Sequence, residues 1–259
     1  MAVEHFCVRR LSHVSTTWLM LIRFAIAVPT LTLGAVYVNA SLPNVADIAI
    51  IVAVLVPLEA AIGWLQISAI QRGQQSTIGP LYGLSVVFVV LFEWGVVGEL
   101  PSFSGLASII AVVGGSLMVA GPNLFSVSGS AVSRMTGAAI CGALAVTLTR
   151  WLLVSGVPPL VVAAMSYAGA AVVSIPRSVV VGRPNNWAWL FGLGCAFTGV
   201  AVFHFYGLSL APASYVVAAK RSSIAWDVVL GWASREKLDR WQITGAAIIL
   251  GGCMAFYAV

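Results

Sequence analysis

Nine apolar runs, each about 18 to 25 residues long, take up almost the whole of this 259-residue chain. A run of that length crosses a hydrocarbon core of roughly 30 Å as a helix, the one open-ended element that satisfies its own backbone groups in lipid. The runs lie at about residues 17–38, 47–70, 77–98, 104–121, 135–155, 158–175, 187–210, 213–234 and 241–259. Gaps rich in Gly, Pro, Asn and Ser, such as NASLPN and GPNLFSVSGS, separate them as helix stops and turns. None shows the two-residue alternation of a barrel strand, so the expected class is an all-α polytopic membrane protein. Composition agrees: 60% of residues are hydrophobic and 8% charged, against about 25% charged in soluble domains. No soluble domain fits between the runs. The net charge of +5 comes from bases scattered through short loops, which speaks against a nucleic-acid partner. Cys7, Cys141, Cys195 and Cys253 are dispersed without metal-ligand spacing and read as packing residues, and neither metal nor cofactor is expected. The opening residues MAVEHFCVRRLSHVS are too short in apolar length for a signal peptide or a span.

The runs repeat. Shifting the chain by 137 residues places Ser85 on Ser222, Glu99 on Glu236, Gly114 on Gly251 and Gly115 on Gly252. Residues 1–121 then form a first repeat, 122–134 a connecting loop and 135–259 a second repeat. The second repeat holds five runs and the first only four. RFAIAV sits roughly where SYAGAAV sits later, so the residues before Thr17 read as the tail of a missing fifth helix. The expectation is a chain that starts part-way into its first repeat, either from an internal methionine or as a natural nine-span protein. The pairs Gly114-Gly115 and Gly251-Gly252 would let helices approach closely, as small residues do in membranes.

Several segments together carry a family resemblance: Ser85-Val-Val-Phe through Gly98-Glu99, Leu208-Ser-Leu-Ala-Pro-Ala213, and Gly231 through Glu236 with Gly245 and Gly251-Gly252. The pattern resembles the drug/metabolite transporter superfamily, specifically its EamA-like ten-helix members. That resemblance implies an inverted repeat of two five-helix units, a central cavity lined partly by the third and fourth helices of each half, and transport by alternating access. The sequence departs from the pattern in its mostly absent first helix and in ASREKLDR, where Leu-Gly-Glu would be typical.

Inverted repeats place a substrate site near the midplane, between the halves. The run from Ala211 to Glu236 is the one apolar stretch with three ionisable residues near its middle, Lys220, Arg221 and Asp227. Charges there are costly and usually face a bundle interior or a water-filled cavity. At 100° per residue, Lys220, Ser223, Asp227 and Gly231 share a narrow stripe, with Arg221 to one side. Two readings follow. Asp227 neutralises a base in a structural ion pair, or Lys220 and Arg221 present positive charge to an anionic group. Their first-half equivalents, Gly83 and Leu84, are uncharged, so the site would be electrostatically one-sided. The Lys-Arg pair also resembles the arrangement in sugar-phosphate translocators of the same superfamily. Glu59, with Gly63 and Gln66 on its face, is either a core carboxyl paired with Lys220 or Arg221 or a proton-coupling group. Glu93 lies near a helix end, where snorkelling or surface pairing is expected. Arg23 could snorkel to the interface or turn inward. His204 is either a hydrogen-bonded core residue or a cavity group, and Tyr206, Trp64 and Trp226 are candidate cavity walls. Trp187, Trp189 and Trp241 suit interfacial anchors.

With nine spans, Arg9, Arg10, Arg72, Arg134, Arg177, Arg183, Arg235, Lys237 and Arg240 all fall on the N-terminal side. The positive-inside rule makes that side cytoplasmic and the C-terminus external. No HExxH, GxSxG or Walker pattern occurs, so no enzyme, and hence no catalytic residue, is expected. The leading expectation is a secondary transporter in a plasma or bacterial inner membrane, moving a small polar or anionic metabolite such as an amino acid or phosphorylated compound. A non-transporting membrane scaffold or assembly subunit and a lipid-head-group flippase remain the alternatives. The lipid bilayer and a small molecule are the expected partners, and the oligomeric state is left open.

Overall fold

A computed structural model describes residues 2–11, 13–72, 78–98, 100–121, 128–178, 186–233 and 238–255; the side chains at 5, 9, 176–178, 227 and 230–233 lie outside the described set. The described residues are helical apart from short connections. In chain order the helices are α1 (Ala2–Arg10), α2 (Thr16–Tyr37), α3 (Val45–Arg72), α4 (Gly79–Val96), α5 (Phe103–Ala120), α6 (Gly129–Val154), α7 (Pro159–Ser178), α8 (Trp187–Leu210), α9 and α10 (Arg240–Ala255). Helix α9 comes in two pieces, Ala213–Lys220 and Ser222–Ala233. Ser15, Asn44 and Ser102 cap the starts of α2, α3 and α5 by accepting from the N–H groups of Trp18, Asp47 and Gly105. Gly98 and Gly156, at φ +78 and +95, stop α4 and α6 in the left-handed conformation that glycine adopts without strain. Six of the helices (α2, α3, α4, α5, α6 and α8) are long and apolar enough to span a membrane, and Pro159–Ile175 of α7 is a shorter apolar helix.

The expected inversion of the repeats is visible in how equivalent helices pair. Helix α5 packs lengthwise on α10. A methyl group added at Gly115 would lie 2.7 Å from the Gly245 carbonyl oxygen, and one at Gly252 would lie 3.1 Å from the Ser108 carbonyl oxygen. Numbers rise along one helix as they fall along the other, so the two run antiparallel. Under the 137-residue shift Gly115 maps to Gly252 and Ser108 to Gly245, so one contact is the two-fold image of the other. Antiparallel packing of equivalent helices is what an inverted repeat requires. Gly114 and Gly251 face away from this contact and would meet nothing within 4 Å. Helices α2 and α7 form the second self-paired contact. There Phe24 and Tyr167, which occupy the same place in RFAIAV and SYAGAAV, meet with ring centroids 5.5 Å apart. The main core runs between these two contacts.

Three helices are irregular where the site forms. Pro57 has no N–H to give the Ala53 carbonyl, and the turn Ile51–Leu55 just before it widens to a π turn that ends four residues short of Glu59. Helix α4 opens with a tight 3-10 stretch, Gly79–Leu84, and becomes an α-helix at Ser85. Helix α9 breaks at Arg221 and restarts at Ser222, the position equivalent to Ser85. The same discontinuity therefore occurs in both halves. Discontinuous helices near the middle of the bundle are where transporters of inverted-repeat design place polar groups.

Candidate functional site

Between the self-paired contacts lies a cavity of about 60 Å³ lined by residues of α1–α4 and α6–α9. Its charged walls are Glu4 of α1, Arg23 of α2, Glu59 of α3 and Lys220 of α9. Arg23 turns inward: it is 6% exposed, lies 2.7 Å from Glu4, and its guanidinium sits 4.3 Å from the centre of the Phe197 ring. That arrangement gives the buried guanidinium a carboxylate partner and a π face, while its Nε has no hydrogen-bond partner among the described residues. Glu59 and Lys220 reach the same cavity but form no ion pair or hydrogen bond among the described residues. Among the described residues the site therefore holds one closed pair and two open charges of opposite sign, one from each repeat.

Tyr82, Tyr167, Gln66 and His204 complete the polar lining. Tyr82 has room because residue 142 is glycine; a methyl group there would lie 2.5 Å from the Tyr82 hydroxyl. Tyr167 packs, tilted or edge-on, in an aromatic cluster with Phe24, Phe197 and Phe205. Nδ1 of His204 is buried and makes no hydrogen bond among the described residues.

The structure separates residues that the sequence grouped. Lys220 faces the cavity, whereas Arg221 does not line it. The Arg221 side chain is 4% exposed, stacks 4.4 Å over the Tyr82 ring and donates to Ser85 Oγ at 2.5 Å. It holds the break in α9 against the matching break in α4, and it fixes one face of the tyrosine whose other end enters the cavity. Ser223 lies outside the cavity, on a groove between α8 and α9. Tyr206 is 40% exposed and lines neither. The Asp227 side chain lies outside the described residues, as do Glu99 and Glu236. Glu93, expected to snorkel or pair at the surface, is fully buried; its carboxylate accepts from the N–H groups of Ala213 at 2.5 Å and Ser214 at 3.0 Å, and so caps α9 from α4.

Sequence reasoning missed Glu4, Tyr82, Tyr167 and Phe197 as cavity residues. Glu4 lies in a segment read as a mere tail, and the only available signal was an acid facing the lone base of the next helix. The tyrosines carry no charge, and nothing in an apolar run marks an inward-facing aromatic.

A family model matches this chain over residues 2–121 and again over 130–258, and its description is "EamA-like transporter family". The chain belongs to the EamA-like transporter family. It is thus a multi-pass membrane protein of the drug/metabolite transporter type. A solved crystal structure superposes on it with a TM-score of 0.72 at 16% identity, covering 98% of this chain and 96% of the other, which shows the same fold. Among curated proteins, none matches the sequence. In this EamA-like protein both matched segments contribute to the cavity, so the site exists only where the two repeats meet.

Proposed function

We propose that this chain is a secondary transporter that carries a small polar or anionic metabolite across its membrane by alternating access. The observation that carries the reading is the pair of open charges, Glu59 on α3 and Lys220 on α9, facing one cavity from opposite repeats. Unpaired charges in the middle of a bundle are expensive to keep and mark substrate or ion pathways. A solute bearing both signs, such as an amino acid, would bridge them, its carboxylate toward Lys220 and its ammonium toward Glu59. A phosphorylated solute would use Lys220, leaving Glu59 to carry a proton. At about 60 Å³ the cavity has room for roughly two waters, so the repeats must part to admit a metabolite. Two halves related by inversion supply that motion, since exchanging their conformations opens the site to the other side.

The charge bias of the loops supports a cytoplasmic N-terminal side and an external C-terminus, in a plasma or bacterial inner membrane. A reporter fused after Val259 that is active only in the cytoplasm would reverse that orientation. The transport reading is tested by counterflow into proteoliposomes with amino acids, phosphorylated compounds and inorganic anions. Uptake above empty vesicles is expected for at least one solute, lost in Lys220→Ala and in Glu59→Gln. No flux of any solute by folded, reconstituted protein would refute it.

A further inference from the structure

A second and much larger cavity, about 850 Å³, opens on the flank of the molecule between α8 and α9. Its walls are apolar: Val200, Phe203, Leu210 and Val216, with Gly199, Gly207 and Ala219 leaving the trough between them. Phe203 and Leu210 are 82% and 85% exposed, so the groove faces the lipid. A methyl group at Gly199 would meet nothing within 4 Å, which makes the trough open space. The deep end is different in kind. Val200, His204 and Lys220 line this groove and the central cavity alike, so the two spaces meet at the Lys220 ammonium and the His204 Nδ1, neither of which has a partner among the described residues.

We propose that this groove is a binding site for a single-chain anionic amphiphile, with the acyl chain along the trough and the acidic head at Lys220. Lipid alone would fill an apolar groove with hydrocarbon, but hydrocarbon offers nothing to a half-buried lysine. An acidic head on an alkyl chain satisfies both ends at once. The volume lies within the roughly 300–1,000 Å³ usual for small-molecule sites, and apolar walls with a few convergent polar groups are their usual make-up. A carboxylate head (a fatty acid) and a phosphate head (a lysophosphatidate) share this chemistry. The site borders the proposed transport site through Lys220 but does not require that the chain transport anything.

The test is photo-crosslinking of the full chain in a neutral maltoside detergent with a diazirine-bearing palmitate, mapped by peptide mass spectrometry. Adducts are expected on residues 199–210 and 215–223. Oleate or oleoyl-lysophosphatidate should compete, the stronger of the two identifying the head group, while oleyl alcohol should compete about tenfold less well, since it lacks the charge-assisted contact with Lys220. Lys220→Ala should erase that tenfold preference, and Gly199→Phe should abolish the adducts by filling the trough. If Gly199→Phe fails to fold, Ser223→Trp at the same groove serves instead. Adducts spread over all lipid-facing helices, or equal competition by oleyl alcohol in the wild type, would overturn the proposal. Because the readout is binding in micelles, a chain that transports nothing can pass it and a working carrier can fail it.

Discussion

Glu93 is the residue whose removal should cost this fold most for its size. Its side chain is fully buried, and its two oxygens accept the first N–H groups of α9, from Ala213 and Ser214. Those donors have no partner within their own helix. Glu93→Ala leaves both buried and unmet, at about 1–3 kcal/mol each. It also removes a negative charge from a helix N-terminus, worth up to about 2 kcal/mol when partly buried. The total is about 2–8 kcal/mol. For chains of roughly this size 1 kcal/mol moves the midpoint by about 2–4 °C, so a loss on the order of 10 °C is expected. Glu93→Gln should fall between alanine and wild type, because its carbonyl oxygen replaces one acceptor while its amide N–H₂ faces the other donor. The assay is thermal unfolding of the solubilised chain, followed by tryptophan fluorescence. A Glu93→Ala midpoint within 2 °C of wild type would mean that water already serves these donors, and the capping argument would fail. The consequence reaches the site, because α9 begins at this cap and delivers Lys220 seven residues later.

The two-fold contact between α5 and α10 makes the glycines of one pair unequal: Gly115→Val should unfold or severely destabilise the chain, whereas Gly114→Ala, with open space around it, should be neutral or stabilising by about 0.5–1 kcal/mol, both read from the unfolding midpoint. Ser85→Ala removes the acceptor of Arg221, whose Nε already lacks one among the described residues, and should cost about 1–3 kcal/mol. Arg221→Lys should lower both stability and counterflow, since an ammonium cannot both cover the Tyr82 ring and reach Ser85; full activity in that variant would show that Arg221 is not holding the tyrosine.

Much of this protein was legible in one dimension because a bilayer leaves few options. The length of each apolar run, the Gly and Asn stops, and the register of Ser85 on Ser222 and Gly115 on Gly252 all reflect constraints that act on consecutive residues. Helical class, the duplication and the candidacy of Lys220 and Glu59 follow from them directly. Side-chain direction across a helix bundle does not. Neighbours such as Lys220 and Arg221 differ by 100° around the axis, and a break between them sends one into the cavity and the other onto Tyr82. Nor could the sequence tell which glycine of a pair faces its partner, since both are equally small. Glu4 with Arg23, and Glu93 with the start of α9, join residues 19 and 120 positions apart. The first pairing needs two helices of one repeat to become neighbours, and the second arises only once the two repeats fold together. From consecutive residues alone it follows that a buried charge must be met by something, because lipid will not solvate it; what meets it depends on which helices become neighbours, and that is set in three dimensions.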